Sequence, residues 1–301
     1  MSVSIVEVSP RDGLQNEAVP VPTADKLALI DTLVSSGLRR IEATSFVNPR
    51  RVPQLADAEE VAARLPRGRV SWIGLVLNER GLDRAIAAGM DEVNVVVVAT
   101  DTFSRRNQGV DTAGGIAAWH RIAERARAAG LRTTVSVAAA FGCPFEGEVT
   151  TDRVREVIAS CATARPDELA LADTIGVGVP AQVRALAAAA AAEAPGVPLR
   201  WHFHNTRNTG YANALTAADL AGDHPVALDS SAGGIGGCPF APNATGNIAT
   251  EDLLYLLGRS GYETGVDVAG LLPLGARLGG LLGHEVPGQL RRAGVFPGAQ
   301  P

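Results

Sequence analysis

Cysteine is scarce in this chain, which has only Cys143, Cys161 and Cys238. An odd count without close spacing excludes a disulfide framework and fits a reducing, cytoplasmic setting. Positive charge is not concentrated either. The formal net charge is −5 and no basic block or basic helix occurs, which argues against nucleic acid as a partner. Long apolar runs are also missing. The blandest stretch, 185–192, is alanine-rich and lies between Arg184 and Glu193. It is too short to span a bilayer and reads as helix. The opening Met1-Ser2-Val3-Ser4 lacks the charged-then-apolar pattern of a secretory signal, so no membrane attachment is expected. No Gly-x-Gly-x-x-Gly turn follows the first apolar run, which speaks against dinucleotide binding.

What is present is an alternation of short β-branched runs with longer alanine- and arginine-rich stretches. The strands expected are 4–8, 40–43, 70–76, 92–98, 131–138, 168–172, 199–203 and 226–229. Helical patterns lie at 23–36, 52–65, 78–88, 112–129, 151–164, 180–194, 209–221 and 250–257. The strands are mostly continuous apolar runs, as in a parallel sheet covered on both faces. Thr23 and Asn78 stand where N-caps belong, and Gly37, Gly89 and Gly130 where C′ glycines belong. Eight such units in 301 residues read as a single (β/α)8 TIM barrel with a short C-terminal helical extension. The expected division is a barrel over 1–260 and, over 261–301, an extension with a helix at 270–282 and a Pro/Gly-rich tail.

In a barrel the C-terminal ends of the strands converge on one pocket. Those ends carry Arg11 and Asp12, then Glu42, Thr44 and Ser45, then Asp173 and Thr174, then His202, His204 and Asn205, then Asp229, Ser230 and Ser231. His202 and His204 are two apart on a strand, so both imidazoles face one side, here inward. Two inward imidazoles need partners. A metal ion with Asp12 supplies them, and so does a pair of ordinary hydrogen bonds to polar neighbours; the spacing does not choose. Arg11-Asp12 reads either as a solvated turn or as an anion-binding arginine beside a metal carboxylate. Glu42, on an otherwise buried strand, needs a partner, and Arg11 from the adjacent strand is a candidate. The run 231–239 holds four glycines before Cys238-Pro239. It suits a lid better than a phosphate cradle, because no Lys-Ser/Thr follows. Cys238 is either a proton donor or an inert small residue. Gly-Cys-Pro-Phe also occurs at 142–145, so the pattern does not decide between Cys143 and Cys238.

These positions make the chain resemble the hydroxymethylglutaryl-CoA lyase family of TIM-barrel metallolyases. The resemblance spans nearly the whole barrel and rests on 6–17 (VEVSPRDGLQNE), 41–46 (IEATSF), 172–178 (ADTIGVG), the His-x-His pair, 233–239 (GGIGGCP) and 246–252 (GNIATED). It implies a divalent cation, Mg2+ or Mn2+, on Asp12, His202, His204 and Asn247, an oxygen-rich set with two imidazoles. It also implies an acyl-CoA substrate cleaved by a retro-Claisen reaction. In that reading His202 or Asp12 takes the hydroxyl proton, Arg11 held by Glu42 stabilises the enolate, and Cys238 returns a proton. Gln15, Ser45 and Thr174, each in a matched run, are expected to bind substrate, and Arg50, Arg105 and Arg106 to offer rim charges to phosphates. A homodimer is also implied. The chain departs from the family pattern at Ala18, where a lysine is usual, at Asn205, where an aspartate is usual, and at 283–285, where a basic stretch is usual. Those departures leave open a citramalyl-CoA-type or longer-chain substrate. The other readings are a Claisen condensation and, from a different class, a metal-dependent thioester hydrolase.

Overall fold

The computed structural model describes residues 2–221, 226–237 and 246–296. Eight parallel strands close in sequence order into a barrel: β1 (Ser4–Glu7), β2 (Arg40–Ser45), β3 (Ser71–Val76), β4 (Glu92–Val98), β5 (Arg132–Ala138), β6 (Glu168–Asp173), β7 (Leu199–Phe203) and β8 (Val226–Ser230). Pairing of Glu7 with Ser230 completes the circle. The helices are α1 (Thr23–Ser35), α2 (Ala58–Ala63), α3 (Glu79–Ala87), α4 (Asp101–Gln108), α5 (Thr112–Ala128), α6 (Thr151–Ala162), α7 (Pro180–Glu193), α8 (Gly210–Leu220), α9 (Thr250–Arg259), α10 (Val268–Leu282) and α11 (Leu290–Ala293). None is long and apolar enough to cross a membrane. α10 lies where a helix over 270–282 is expected, and it packs against α1 and α9.

The strands are buried on both faces, but the two faces differ. Outward residues such as Trp72, Val137, Leu171, Trp201 and Phe203 join the helices in one large apolar core. The inward face holds a separate small apolar cluster of Val6, Val8, Ile73 and Ala227. Polar and charged side chains share that face. At the N-terminal end of the barrel, alternate strands β2, β4 and β6 contribute Arg40, Glu92 and Glu168. Arg40 binds Glu92 at 2.8 Å and Glu168 at 2.9 Å. A charge layer of this kind satisfies itself, so it fills the barrel without leaving an unpaired ion.

Three local expectations change. The run at 52–65 is not one helix. Pro53 lacks an N–H, Lys26 Nζ takes the Gln54 carbonyl and Asp57, and the segment divides into a 3-10 turn (Pro53–Leu55) and α2. Thr23 does not cap α1; its hydroxyl donates to Asp57 at 2.7 Å and Pro22 occupies the cap. α4 was not expected, because a segment that buries only Phe103 and Ser104 shows little periodicity. Asn78 does cap α3, accepting from Gly81 N at 2.9 Å, and Gly37, Gly89 and Gly130 all have positive φ. The tail at 297–301 lies outside the described residues.

Candidate metal centre at the barrel mouth

One turn of π-helix (Ser9–Gly13) follows β1, with the N–H groups of Arg11, Asp12 and Gly13 all donating to Val8 O. The tight turn presents two consecutive side chains, Arg11 and Asp12, to the pocket, a use common to single π-turns. Arg11 is gripped from two sides. Its Nε donates to Glu42 Oε2 at 2.8 Å and its Nη2 bonds the same oxygen, while Nη1 pairs with Asp12 Oδ1. Glu42 is fully buried. Its second oxygen accepts from Asn94 Nδ2 at 2.9 Å, and Asn94 Oδ1 accepts from Ser136 Oγ at 2.7 Å. The guanidinium is therefore fixed through a chain crossing β2, β4 and β5.

His202 on β7 and His204 just past its end both face the pocket, while Trp201 and Phe203 stack outward in the core, with ring centroids 5.8 Å apart. His202 Nε2 and His204 Nε2 face each other at 3.1 Å, and Asp12 Oδ2 lies 3.9 Å from His202 Nε2. One ligand atom from each of Asp12, His202 and His204 falls within 4.8 Å of the others. His204 Nδ1 is buried with no hydrogen-bond partner. Two imidazole nitrogens brought this close to each other and to a carboxylate fit a cation, which would accept a lone pair from each ring. Asn247 completes the cluster, its amide nitrogen donating to Asp12 Oδ2 at 2.9 Å and to Ile235 O at 3.1 Å. Behind His202, its Nδ1 meets Asp229 Oδ2 at 3.1 Å. Arg200 clasps Asp229 through Nε and Nη2, the latter at 3.0 Å.

Charge tunes these groups in opposite directions. Burial pushes the Asp12 carboxyl up, but Arg11 and the two histidines outweigh it and hold it well below the usual carboxylate range. Burial pulls His202 down, yet the Asp229 hydrogen bond and the Asp12 and Asp229 charges raise it overall. For His204, burial and the neighbouring His202 push the imidazole down to about 4, so it is neutral and ready to ligate near pH 7.

The loop after β8 lies directly on this cluster. Gly236 has φ +98°, and a Cβ there would stand 2.7 Å from Asn247 Nδ2 and 2.8 Å from Asp12 O, so only glycine fits. Two buried carboxyl groups hold the base of the loop: Glu7 accepts from Ala232 N and Glu251 from Gly233 N, each at 3.0 Å. Burial raises Glu251 from 4.5 to about 7. A carboxyl whose folded pKa is raised contributes stability that is complete below its unfolded pKa and is lost as pH rises through its folded one. Between pH 4.5 and about 7 this amounts to about 3 kcal/mol. Glu251→Gln keeps an acceptor for Gly233 N and removes the titration. In urea unfolding of metal-free protein, the variant's stability relative to wild type should therefore increase by about 3 kcal/mol from pH 5 to pH 8. A difference that stays constant with pH would mean that Glu251 is ionised in the fold.

The remaining expected site residues are dispersed. Gln15 is half-buried just beyond the π-turn, and Ser45 is buried at the end of β2 with an unpartnered hydroxyl. Thr174 accepts from Ala139 N at 2.9 Å, tying β5 to β6. Arg50 is exposed on the rim. Arg105 pairs with Asp101 and Asp111, and Arg106 lies over the Phe145 ring at 4.2 Å. Cys238 lies outside the described residues. Cys143 is buried and accepts from Thr100 Oγ1 at 3.1 Å. Asn205 accepts from Gly210 N at 3.2 Å at the start of α8; the carboxylate behind His202 is Asp229. His284 pairs with Glu17 at 2.8 Å, joining the C-terminal extension to the first loop. Reading the sequence missed Arg200, Asn94 and Ser136. The available signal was parity, because Arg200 shares an inward strand position with His202, and Asn94 interrupts a valine run.

Residues 2–276 match the family model described as HMGL-like. The chain is 42% identical to the (R)-citramalyl-CoA lyase of Chloroflexus aurantiacus, over 98% of this chain and 96% of that one. It is 41% identical to the hydroxymethylglutaryl-CoA lyase of Pseudomonas mevalonii, over 94% and 93% respectively. Among solved structures, an HMG-CoA lyase from Acinetobacter baumannii in complex with coenzyme A and 3-methylmalate superposes with a TM-score of 0.92, at 38% identity, over 100% of this chain and 97% of that one.

Proposed function

This chain belongs to the HMGL-like family, and from that premise we propose that it is a divalent-metal-dependent carbon–carbon lyase cleaving 3-hydroxy-3-methylglutaryl-CoA or a close analogue by a retro-Claisen reaction. The observation that carries the proposal is the convergence of Arg11, Asp12, Glu42, His202 and His204 from three separate segments on one point of the barrel mouth. Asp12, His202 and His204, with Asn247 beside them, would hold Mg2+ or Mn2+. Bound there, the cation would supply Lewis acidity toward the substrate's tertiary hydroxyl.

The protein's own groups do the rest. His202 or Asp12 takes the hydroxyl proton, and a carboxylate keeps a second oxygen for it when the first binds the cation. Loss of the hydroxyl proton and cleavage of the bond to the thioester methylene give a keto product and the enolate of acetyl-CoA. Arg11, already clamped by Glu42 and Asp12, presents its remaining N–H groups to the enolate oxygen without reorganising, which favours the transition state over the ground state. Cys238, in the loop after β8, returns the proton to the enolate carbon. Gln15, Ser45 and Thr174 are the proposed acyl contacts, and Arg50, Arg105 and Arg106 the proposed phosphate contacts, for which Arg105 would have to exchange its aspartate partners. The compartment proposed is the reducing cytoplasm, where Cys143 and Cys161 stay free, and the assembly proposed is a homodimer.

A second substrate has a specific observation in its favour, the similarity over nearly the full length to a citramalyl-CoA lyase. The two are separated by their products. Wild-type protein with Mg2+ or Mn2+ and a thiol reductant should release acetyl-CoA with acetoacetate from hydroxymethylglutaryl-CoA. Release of pyruvate with acetyl-CoA from citramalyl-CoA alone would assign the other acyl group. Free CoA without carbon–carbon cleavage from either would turn the assignment to hydrolysis.

A further inference from the structure

We propose that Arg200 and Asp229 are positioning residues that lock His202 in the tautomer and orientation needed to bind the cation. The proposal rests on the reading of this cluster as a metal centre. Arg200 and His202 share the inward parity of β7, and Asp229 reaches them from the neighbouring strand β8. The Asp229 carboxylate is used from both sides. One oxygen takes Arg200 Nε, and the other takes Arg200 Nη2 at 3.0 Å and His202 Nδ1 at 3.1 Å.

An ionised carboxylate has no proton to give, so the shared hydrogen must sit on His202 Nδ1. That leaves Nε2 with its lone pair, directed at His204 Nε2 and Asp12 Oδ2. Carboxylates in this position behind a ligating imidazole fix the ring and raise its basicity. Arg200 adds what the carboxylate cannot supply itself. Its planar fork holds Asp229 in one plane, so that the imidazole has a single orientation to meet.

The energetics point the same way. Arg200 is fully buried, and its Nη1 is buried with no hydrogen-bond partner. A buried ion pair is on average no more stabilising than apolar side chains of similar volume, and an orphaned donor makes it worse. Stability alone therefore does not account for a charged pair at this depth, whereas orientation of His202 does. His204 shows the contrast, since its Nδ1 has no partner behind it. Of the two imidazoles, only His202 is braced by a carboxylate.

The test uses the metal-stripped full chain and Mn2+ alone, followed by the electron paramagnetic resonance of free Mn2+. Asp229→Asn should raise the Kd about 10- to 100-fold. Because this change leaves Arg200 buried without a counter-charge, the double variant Arg200→Met with Asp229→Asn is measured beside it. It removes both charges, should fold, and should show a similar loss. Nitrogen NMR of His202 in metal-free protein, at a pH where the imidazole is neutral, should change from the Nδ1–H tautomer in wild type to a mixture in both variants. A Kd within about threefold of wild type in the folded double variant, or an unchanged tautomer, would overturn the proposal, as would a wild-type protein that binds no Mn2+. No acyl-CoA enters the experiment, so a failure to cleave hydroxymethylglutaryl-CoA would count against the proposed reaction and leave this result standing.

Discussion

Arg11→Gln should lower kcat by about 10²- to 10³-fold while the protein still binds its cation. The magnitude is that of removing one preorganised charge from a developing oxyanion. Arg11 is nearly buried, its carboxylate partners are in place before substrate arrives, and the Asn94–Ser136 chain holds Glu42 from behind. None of this has to be rearranged during reaction. Glutamine keeps a hydrogen-bond donor but loses the fork and the charge. It also leaves Glu42 buried with only the Asn94 amide, so stability should fall by about 3–5 kcal/mol, the cost of breaking a buried pair by removing one partner. The kinetic effect is therefore measured below the variant's unfolding temperature, with Mn2+ binding as the control for an intact site. Turnover within threefold of wild type under those conditions would remove Arg11 from the reaction.

Exhaustive chelation should abolish turnover, by about 10³-fold or more, with recovery on adding Mg2+ or Mn2+. Several kcal/mol of Lewis-acid stabilisation translate into that factor, at 1.36 kcal/mol per decade. A stability signature should accompany the loss. A ligand present at about 100 times its Kd stabilises the fold by about 2.7 kcal/mol, so the metal-stripped chain should melt earlier and recover with the same ion that restores activity. The cluster explains why, because a cation would draw on Asp12 and both imidazoles at once, and these lie together with the two ring nitrogens 3.1 Å apart. Full activity in protein shown to be metal-free would end the metallolyase reading.

Much of this arrangement was legible in the chain before folding was considered. Strand parity alone placed His202 and His204 on one side, and the position of Arg11-Asp12 immediately after the first strand put both at the barrel mouth. The pairing of Glu42 with Arg11 followed from the cost of a buried carboxylate. The glycines at 37, 89 and 130 ended helices as expected, because positive φ is strained for other residues. Thr23 and the segment 52–65 misled for a shared reason. Local propensity favoured a cap and a continuous helix, and tertiary partners, Asp57 and Lys26, claimed the groups instead.

By itself, the sequence determined the number of βα units, the parity that decides which side chains face inward, and the motif that assigns the family. All of these are local in the chain, so periodicity and spacing carry them. The tertiary structure alone decided which inward groups touch. Glu42 meets Asn94 across 52 residues, Arg200 meets Asp229 across 29, and Asn247 meets Asp12 across 235. Those contacts depend on the register of neighbouring strands and on closure of the sheet. Periodicity within a strand fixes which side a residue faces; the height at which it meets a residue from another strand is set only when the barrel closes.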